Sequence, residues 1–305
     1  MKKVVLKLGG YQGMKSVHTR AAVRFGEVLE REAGSQAAFE LVPDVLALGR
    51  KSGELPTMVK TGELALCYMA TVRFSHAVPE LRMFELPFVV RDRARATAAL
   101  NGDLGTFLKG EMQKNTEYRA LGFWDNGFRH LTNSVRPIRT PADCKGLRIR
   151  IQMSDLQGET LSALGFIPMP TDIKEYVEQI ATDRFQAQEN PLTNTFNFNV
   201  HRYHRHITLS GHFFGASAFV CSQAQHETWP REVQQAVELA AREATAYQHQ
   251  LAAAEDDEIL AKIDPGQNEI VRLSAAEHEA FVNAVQPVLE KHKQELDPKL
   301  FEYLR

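Results

Sequence analysis

Two arginines alternate with branched aliphatics in Gly146-Leu147-Arg148-Ile149-Arg150-Ile151, a pattern that places charge where little water reaches. A period of two sets Leu147, Ile149 and Ile151 on one face of a strand and Arg148 and Arg150 on the other. With elements packed on both sides of the strand, one guanidinium faces inward and needs an anionic partner. An aspartate or glutamate of the chain is the commoner partner. A bound carboxylate is the alternative, because the rigid guanidinium fork matches it with two parallel hydrogen bonds.

Other residues invite chemistry more weakly. Gln188-Glu189-Asn190-Pro191 ends a short apolar segment, and Asn190 is placed to cap a helix with Pro191 in its first turn, so that free N–H donors point outward. Arg73, in the loop Ala70-Thr71-Val72-Arg73, is either a second anion contact or half of an exposed salt bridge. Tyr11 and Trp124 either wall a cleft or serve as ordinary core aromatics. His201, His204, His206 and His212 fall within twelve residues. Such a cluster suggests a metal, but Arg202-Tyr203-His204-Arg205 reads as a solvated connector, and no metal site is expected. No Ser/His/Asp or Cys/His set stands in the loops, and neither catalysis nor a cofactor is expected.

At 305 residues the chain exceeds what one hydrophobic core usually supports, so two domains are expected. Thirty-six basic against 38 acidic residues give no reason to expect nucleic acid or an anionic membrane surface. Cys67, Cys144 and Cys221 stand far apart without metal spacing and read as buried thiols. No apolar run approaches the roughly 18 residues of a membrane span, and Met1-Lys2-Lys3-Val4 leads directly into a strand. Either the protein is cytosolic or a leader has been trimmed.

The elements that must position these residues follow from periodicity. Val4 to Leu8 reads as a strand, then Gly9-Gly10-Tyr11-Gln12-Gly13 as a loop, then a helix through Val17, Ala21, Phe25, Val28 and Leu29. Strands at Phe39 to Val42 and Leu64 to Met69, with a short helix at Leu55, Met58 and Val59 between them, complete β-α-β-α-β. This alternation implies a parallel sheet with ligands beyond the carboxyl ends of its strands. One helix is predicted through Ala96, Leu100, Leu104 and Leu108, a strand over Tyr118 to Phe123, and a turn-rich crossing between domains at Trp124 to Arg129. After the arginine strand come a helix capped by Ser154 and stopped at Gly165, a helix over Glu175 to Thr182, and a strand at Phe185-Gln186-Ala187. His212 to Ser222 is a long strand. From Pro230 to about Ile263 an uninterrupted helix of roughly 45 to 50 Å is either a coiled-coil seam or a strut. Ser274-Ala275-Ala276-Glu277 is a capping box.

The order of four blocks resembles the extracytoplasmic solute-binding proteins of TRAP transporters: Phe84-Glu85-Leu86-Pro87-Phe88, Gly127-Phe128-Arg129-His130-Leu131-Thr132-Asn133-Ser134, Lys145-Gly146-Leu147-Arg148-Ile149-Arg150, and Gln188-Glu189-Asn190-Pro191-Leu192. The resemblance runs from Leu6 to the C-terminal helices. It implies an α/β, two-lobed periplasmic binding protein with mixed and parallel sheets, hinge strands and one long domain-spanning helix. Lobe I would comprise 1–125 plus 213–252 and lobe II 126–212 plus 253–305, with the ligand in a cleft between them.

On the same resemblance Arg150 forms the bidentate pair with the ligand carboxylate, and Arg129 and Asn190 line the cleft. Gln152 and Ser154 are similar to a subgroup that takes hydroxylated acids. Three departures stand out, one being the missing leader of a secreted binding protein, which is expected to have been trimmed. An aromatic residue common in the family over the ligand is replaced by Ile173, and a glycine before the Gln-Glu-Asn-Pro block by Ala187. The function implied is a periplasmic receptor that closes on a small organic anion, a carboxylate such as a hydroxylated or sugar acid, and passes it to the membrane permease subunits. The expected ligand-binding residues are Arg150, Asn190, Arg129, Arg73, Tyr11, Gln152, Trp124 and Ile173, in a monomer. The alternatives are a cytosolic isomerase or lyase of a small carboxylic acid with Asp125 or Glu189 as base, and a dimeric scaffold built on the long helix.

Overall fold

Alternating strands and helices build the chain, and the computed structural model describes residues 3–304 of it. It divides into two compact units, one of Met1–Val78, Ala94–Asp125 and Ala216–Glu255, the other of Pro79–Arg93, Asn126–Gly215 and Asp256–Arg305.

The first unit opens with β1 (Val4–Gly9), α1 (Val17–Ala33), β2 (Ala37–Val42), α2 (Leu55–Thr61) and β3 (Leu66–Ala70). β1 pairs in parallel with both β2 and β3, so the first strand is the middle one. Ser16 starts α1 by accepting the Thr19 N–H, and the helix buries Val17, Ala21, Phe25, Val28 and Leu29, the face its period marks.

The single helix expected through Ala96 to Leu108 is two, α3 (Arg93–Asn101) and α4 (Asp103–Asn115). Gly102 breaks the chain with φ −104° and ψ −139°. Gly105 approaches so closely that a Cβ there would stand 1.8 Å from the Leu100 carbonyl oxygen. The apolar period survives the break because both helices bury their marked residues, which is why periodicity alone reads straight through it.

β4 (Tyr118–Asn133) is one continuous strand of 16 residues. The turn expected at Trp124 to Arg129 is absent. Gly127, at φ +88°, takes up the local irregularity within the strand.

The second unit holds α5 (Pro141–Cys144), β5 (Arg148–Ile151), α6 (Asp155–Ala163), β6 (Ile167–Pro170), α7 (Ile173–Gln179), β7 (Ala187–Pro191) and α8 (Leu192–Asn197). β5 pairs in parallel with β6 and β7, so the β-α-β-α-β arrangement of the first unit recurs with its first strand again in the middle. β6 was missing from the sequence reading because Pro168 and Pro170 disguise it. Only an edge strand tolerates them, and β6 pairs with β5 alone. β7 runs through Asn190 to Pro191, so Asn190 is a strand residue rather than a cap, and Pro191 is the residue that precedes α8. Pro79–Arg93, which the expected boundaries leave in lobe I, clusters with this unit, where Phe88 joins the core of Leu131, Ile149, Ile151 and Phe281 and donates its N–H to the His212 carbonyl at 2.9 Å.

β8 (His206–Ser222) begins earlier than expected and is followed by α9 (Gln223–Thr228), α10 (Arg231–Lys262), β9 (Glu269–Arg272) and α11 (Ala275–Lys293), whose capping box at Ser274 and Glu277 forms as its sequence implies. β3 and β8 are antiparallel, as are β4 and β7, so the sheets are mixed. The 32 residues of α10 extend about 48 Å. Val233, Val237, Ala240 and Ala244 of its stripe are buried within the chain, so the seam a coiled-coil dimer would use is covered and the strut reading stands. Among the described residues no helix is long and apolar enough to cross a membrane. The three cysteines are free and buried.

Burial also fixes the charge of several histidines. His18, His130 and His204 are each pulled down to about 3, loss of hydration being the largest cause. The unfolded chain takes up these protons near pH 6.5 and the folded chain does not, so folding stability is fully present above that pH and declines as pH falls toward 3. Melting temperature is therefore expected to drop progressively from pH 7.5 to 4, beginning above the carboxylate range; a constant value between pH 7.5 and 5 would contradict the buried neutral state. Gly105→Ala is expected to destabilise by about 1 to 3 kcal/mol through overpacking against Leu100, against the roughly 1 kcal/mol that helix propensity would give. Gly110→Ala, where nothing lies within 4 Å of the added methyl, should instead stabilise by about 0.5 to 1 kcal/mol. Urea midpoints shifting in opposite directions are the check.

Candidate functional site

β5 and β7 lie side by side where the strand order of the second unit reverses, the position at which open α/β sheets bind ligands beyond the carboxyl ends of their strands. Arg150 is the next-to-last residue of β5 and stands opposite Gln188 on β7 and Met169 on β6. Its side chain is 4 % exposed. Nε donates to the Thr171 carbonyl at 2.8 Å, and the guanidinium carbon lies 5.8 Å from the centroid of the Tyr176 ring, a cation–π arrangement. Among the described residues the two terminal nitrogens have no acceptor and no carboxylate is in contact with them. Burial pulls the Arg150 guanidinium down to about 10, a fall limited by the charge of Glu189 and deepened by that of Arg129. It remains a cation at neutral pH.

Arg148, on the same face of the strand, has a different fate. Half-buried, it donates to the main-chain carbonyls of Asp183 and Arg184.

Arg129, expected as a ligand donor, is engaged by its own chain. Its Nε and Nη2 hold both carboxylate oxygens of Glu189, and Nη2 also donates to the Glu189 carbonyl at 3.0 Å and to Asn190 Oδ1 at 3.3 Å. Both partners of this ion pair are buried. Burial pushes the Glu189 carboxyl up, but the charge of Arg129 and the nearby His212 outweigh it and hold it at about 2. His212 Nε2 is 3.6 Å from Glu189, and its Nδ1 meets the Ser210 hydroxyl at 2.8 Å. A carboxyl this acidic is a poor base at neutral pH, which removes Glu189 from the role the enzyme alternative gave it.

Asn190 continues this network. Its amide oxygen also accepts from Asn194 Nδ2 at 3.2 Å, and its Nδ2 donates to Gln188 Oε1 at 2.8 Å, while Gln188 Nε2 reaches the Thr195 hydroxyl at 3.1 Å. Gln152, just past β5, accepts from Gln157 at 3.2 Å. Ser154 caps α6 and donates its hydroxyl to Glu85, so it has no donor left for a ligand. Ile173 is buried at the start of α7; the aromatic ring is one helical turn further on, at Tyr176, which shares its face. Sequence reasoning singles out neither Tyr176 nor Thr171. An aromatic three residues beyond an apolar first helical position was the available signal.

The remaining candidates belong to the first unit. Tyr11 and Trp124 are buried, 5.6 and 5.4 Å from the ring of Tyr68, and Trp124 stacks on Phe219 at 4.7 Å and donates to the Thr245 hydroxyl at 3.0 Å. They have the surroundings of core aromatics. Asp125, the other proposed base, is buried with its main chain held in both directions by the Gln248 amide, at 2.8 and 2.6 Å. Arg73 is half-buried after β3 with its guanidinium against Gly53. The histidine cluster disperses: His201 stacks on Phe196, His204 meets Thr132, and His206 meets Glu269. Among the described residues no group of three or more His, Cys, Asp or Glu side chains is placed to hold a metal.

The second unit thus gathers one cation neutralised by its own glutamate and one without such a partner, a pattern to set beside known proteins. A model of the family described as bacterial extracellular solute-binding protein, family 7, matches residues 8–295. The chain is 28% identical over 240 residues to the 2,3-diketo-L-gulonate-binding periplasmic protein YiaO of Escherichia coli (strain K12), covering 79% of this chain and 72% of that protein. It is 25% identical over 297 residues to the C4-dicarboxylate-binding periplasmic protein DctP of Rhodobacter capsulatus, covering 93% and 85%. Among solved structures it is similar to the sugar acid binding protein DctPAm from Advenella mimigardefordensis in complex with galactonate, with TM-score 0.93, 21% identity and coverage of 100% of this chain and 97% of that chain. A TRAP periplasmic solute binding protein from Sulfurospirillum deleyianum with bound succinate gives TM-score 0.92 at 24% identity, covering 100% and 99%. The structural likeness carries the α/β binding-protein fold, and the family match carries membership: this chain belongs to the bacterial extracellular solute-binding proteins of family 7.

Proposed function

We propose that this protein is a TRAP-type receptor that captures a small organic acid outside the cytoplasmic membrane, with Arg150 as the group that grips the carboxylate. One observation supports the reading above others: a buried guanidinium whose Nε is fixed by Thr171 and whose terminal nitrogens, among the described residues, meet no carboxylate. Leaving a desolvated charge so disposed is costly, and an incoming carboxylate offsets the cost with two charge-assisted hydrogen bonds. Thr171 and the Tyr176 ring hold the fork in one orientation, so little freedom is lost on binding. The ligands of the relatives, 2,3-diketo-L-gulonate, galactonate and succinate, all carry a carboxylate.

Arg129 and Asn190 have supporting roles in this reading. The ion pair to Glu189 fixes the end of β7, and the Asn190 amide is held beside it. Capture of the acid is followed, in this reading, by its delivery to membrane permease subunits.

A thermal-shift screen of organic acids, followed by calorimetry on the acid that stabilises most, tests the assignment. Arg150→Ala should weaken binding by about 2 to 5 kcal/mol, and Arg150→Lys nearly as much because the fork is lost. Wild-type affinity in Arg150→Ala, or chemical conversion of the bound acid, would overturn it. Arg129→Ala should act first on folding, lowering stability by about 3 to 5 kcal/mol by stranding the buried Glu189.

A further inference from the structure

Behind Arg150 stands a support that runs through three more side chains of the second unit. One hydrogen bond, from Nε to the Thr171 carbonyl at 2.8 Å, fixes the direction of that N–H and leaves the guanidinium plane able to swing about it. The Tyr176 ring, its centroid 5.8 Å from the guanidinium carbon, bears on the cation and limits the swing. The ring in turn needs holding, because the terminal torsion of an aromatic side chain is broad. Phe185 meets it edge on at 5.2 Å, and its hydroxyl lies 3.5 Å from His204 Nε2, the only polar partner it has among the described residues.

His204 is itself tied on two sides. Its Nδ1 meets the Thr132 hydroxyl at 2.8 Å, and its carbonyl accepts from Asn268 Nδ2 at 3.0 Å. Thr132, Tyr176 and His204 are all buried, and loss of hydration keeps the imidazole neutral. A neutral imidazole carries one proton, so it donates to one of the two hydroxyls and accepts from the other. Sheet register closes these contacts on themselves. Thr132 of β4 stands opposite Gln188 of β7, and Gln188 opposite Arg150 of β5, so the three side chains leave the same face. From Arg150 through Tyr176 and His204, the contacts return to the row of the sheet from which Arg150 starts.

We infer that His204 is a positioning residue for the carboxylate grip: it ties the Tyr176 hydroxyl to Thr132, and the ring so held sets the plane of the Arg150 fork. The inference rests on the Arg150 reading above. A residue that only filled the core would need neither hydroxyl, and Leu or Phe would serve without the cost of burying a polar ring. Here both ring nitrogens meet a hydroxyl, and one of those hydroxyls belongs to the side chain on which the cation rests. Binding is where such a support acts, because two parallel hydrogen bonds require the guanidinium and the carboxylate to share a plane.

Two measurements on Tyr176→Phe, His204→Leu, their double variant and Arg150→Lys test it. The first needs no acid: in nitrogen–proton spectra the Nε–H resonance of Arg150, identified by its loss in Arg150→Lys, reports the ring beside the guanidinium. Tyr176→Phe keeps that ring and removes only its hydroxyl, so it carries the test even where His204→Leu does not fold. Both changes are expected to shift the resonance, and the double variant no further than the larger single shift, because the two act through one contact. The second measurement is calorimetry with galactonate and succinate. Each single variant should weaken binding by roughly threefold or more, and the double variant no more than the worse single one. An unmoved Arg150 resonance in Tyr176→Phe overturns the positioning. A moved resonance with wild-type affinity, while Arg150→Lys weakens binding, overturns the role in the grip and leaves the grip standing. Arg150→Lys binding as tightly as the wild type defeats the grip itself and this inference with it.

Discussion

A buried guanidinium that, among the described residues, no carboxylate contacts is the constraint on which the second unit turns. Removing a charge from water carries a penalty of several kcal/mol even after relaxation, and proteins ordinarily cancel it with a partner of opposite sign. Arg129 is treated in that way, clasped on two nitrogens by Glu189. Arg150 is treated otherwise. It receives a carbonyl at Nε, an aromatic face at 5.8 Å, and the more distant charges of Glu189 and Asp172. These are enough to keep it ionised, though pulled down to about 10, and not enough to occupy its fork.

Strand geometry explains how one chain keeps two arginines so close in space yet so different in state. In-register neighbours share a face, so Arg150 and Gln188 point the same way from β5 and β7, while Leu131 and Glu189 pair from β4 and β7 on alternate positions. A one-residue slip of β7 would exchange these assignments and bring Glu189 to the Arg150 side. Register is secured by the opposite face, where Ile149, Ile151, Ala187 and Leu131 share one core. Apolar packing on one side of the sheet thus determines which arginine Glu189 neutralises and which it does not.

Much of this was legible in the sequence, for identifiable reasons. Alternation of Arg148 and Arg150 with Leu147, Ile149 and Ile151 is a strand signal strong enough to survive folding, as is the unbroken run from Arg231 to Lys262. The pairing of Arg129 with Glu189 was not legible, because it joins strands 60 positions apart through a register that only the folded sheet defines. Prolines hid β6, since a proline argues against a central strand and says little about an edge one. The helix break at Gly102 was masked by an apolar period that both α3 and α4 obey. Tyr176 was missed because the aromatic was sought at position 173, and a helix brings residues three apart to the same face. Tyr11 and Trp124 were legible only as either cleft wall or core aromatics, because residue type and loop position do not reveal the packing against Tyr68 and Phe219.

Three buried titratable groups of the second unit share a property that bears on what it can do. Glu189 is held at about 2, and His130 and His204 at about 3. None of these changes protonation near neutral pH, so the field they create is fixed. General acid–base catalysis needs a group poised close to the working pH, able to give and retake a proton within a cycle. Capture needs the reverse, because a group that titrated beside the anchor would make affinity drift with every change of pH. The same burial that locks these charges also lowers the screening around them, which strengthens the attraction between opposite charges there. Rigidity of charge, more than any single donor, is what suits this unit to holding an anion without altering it.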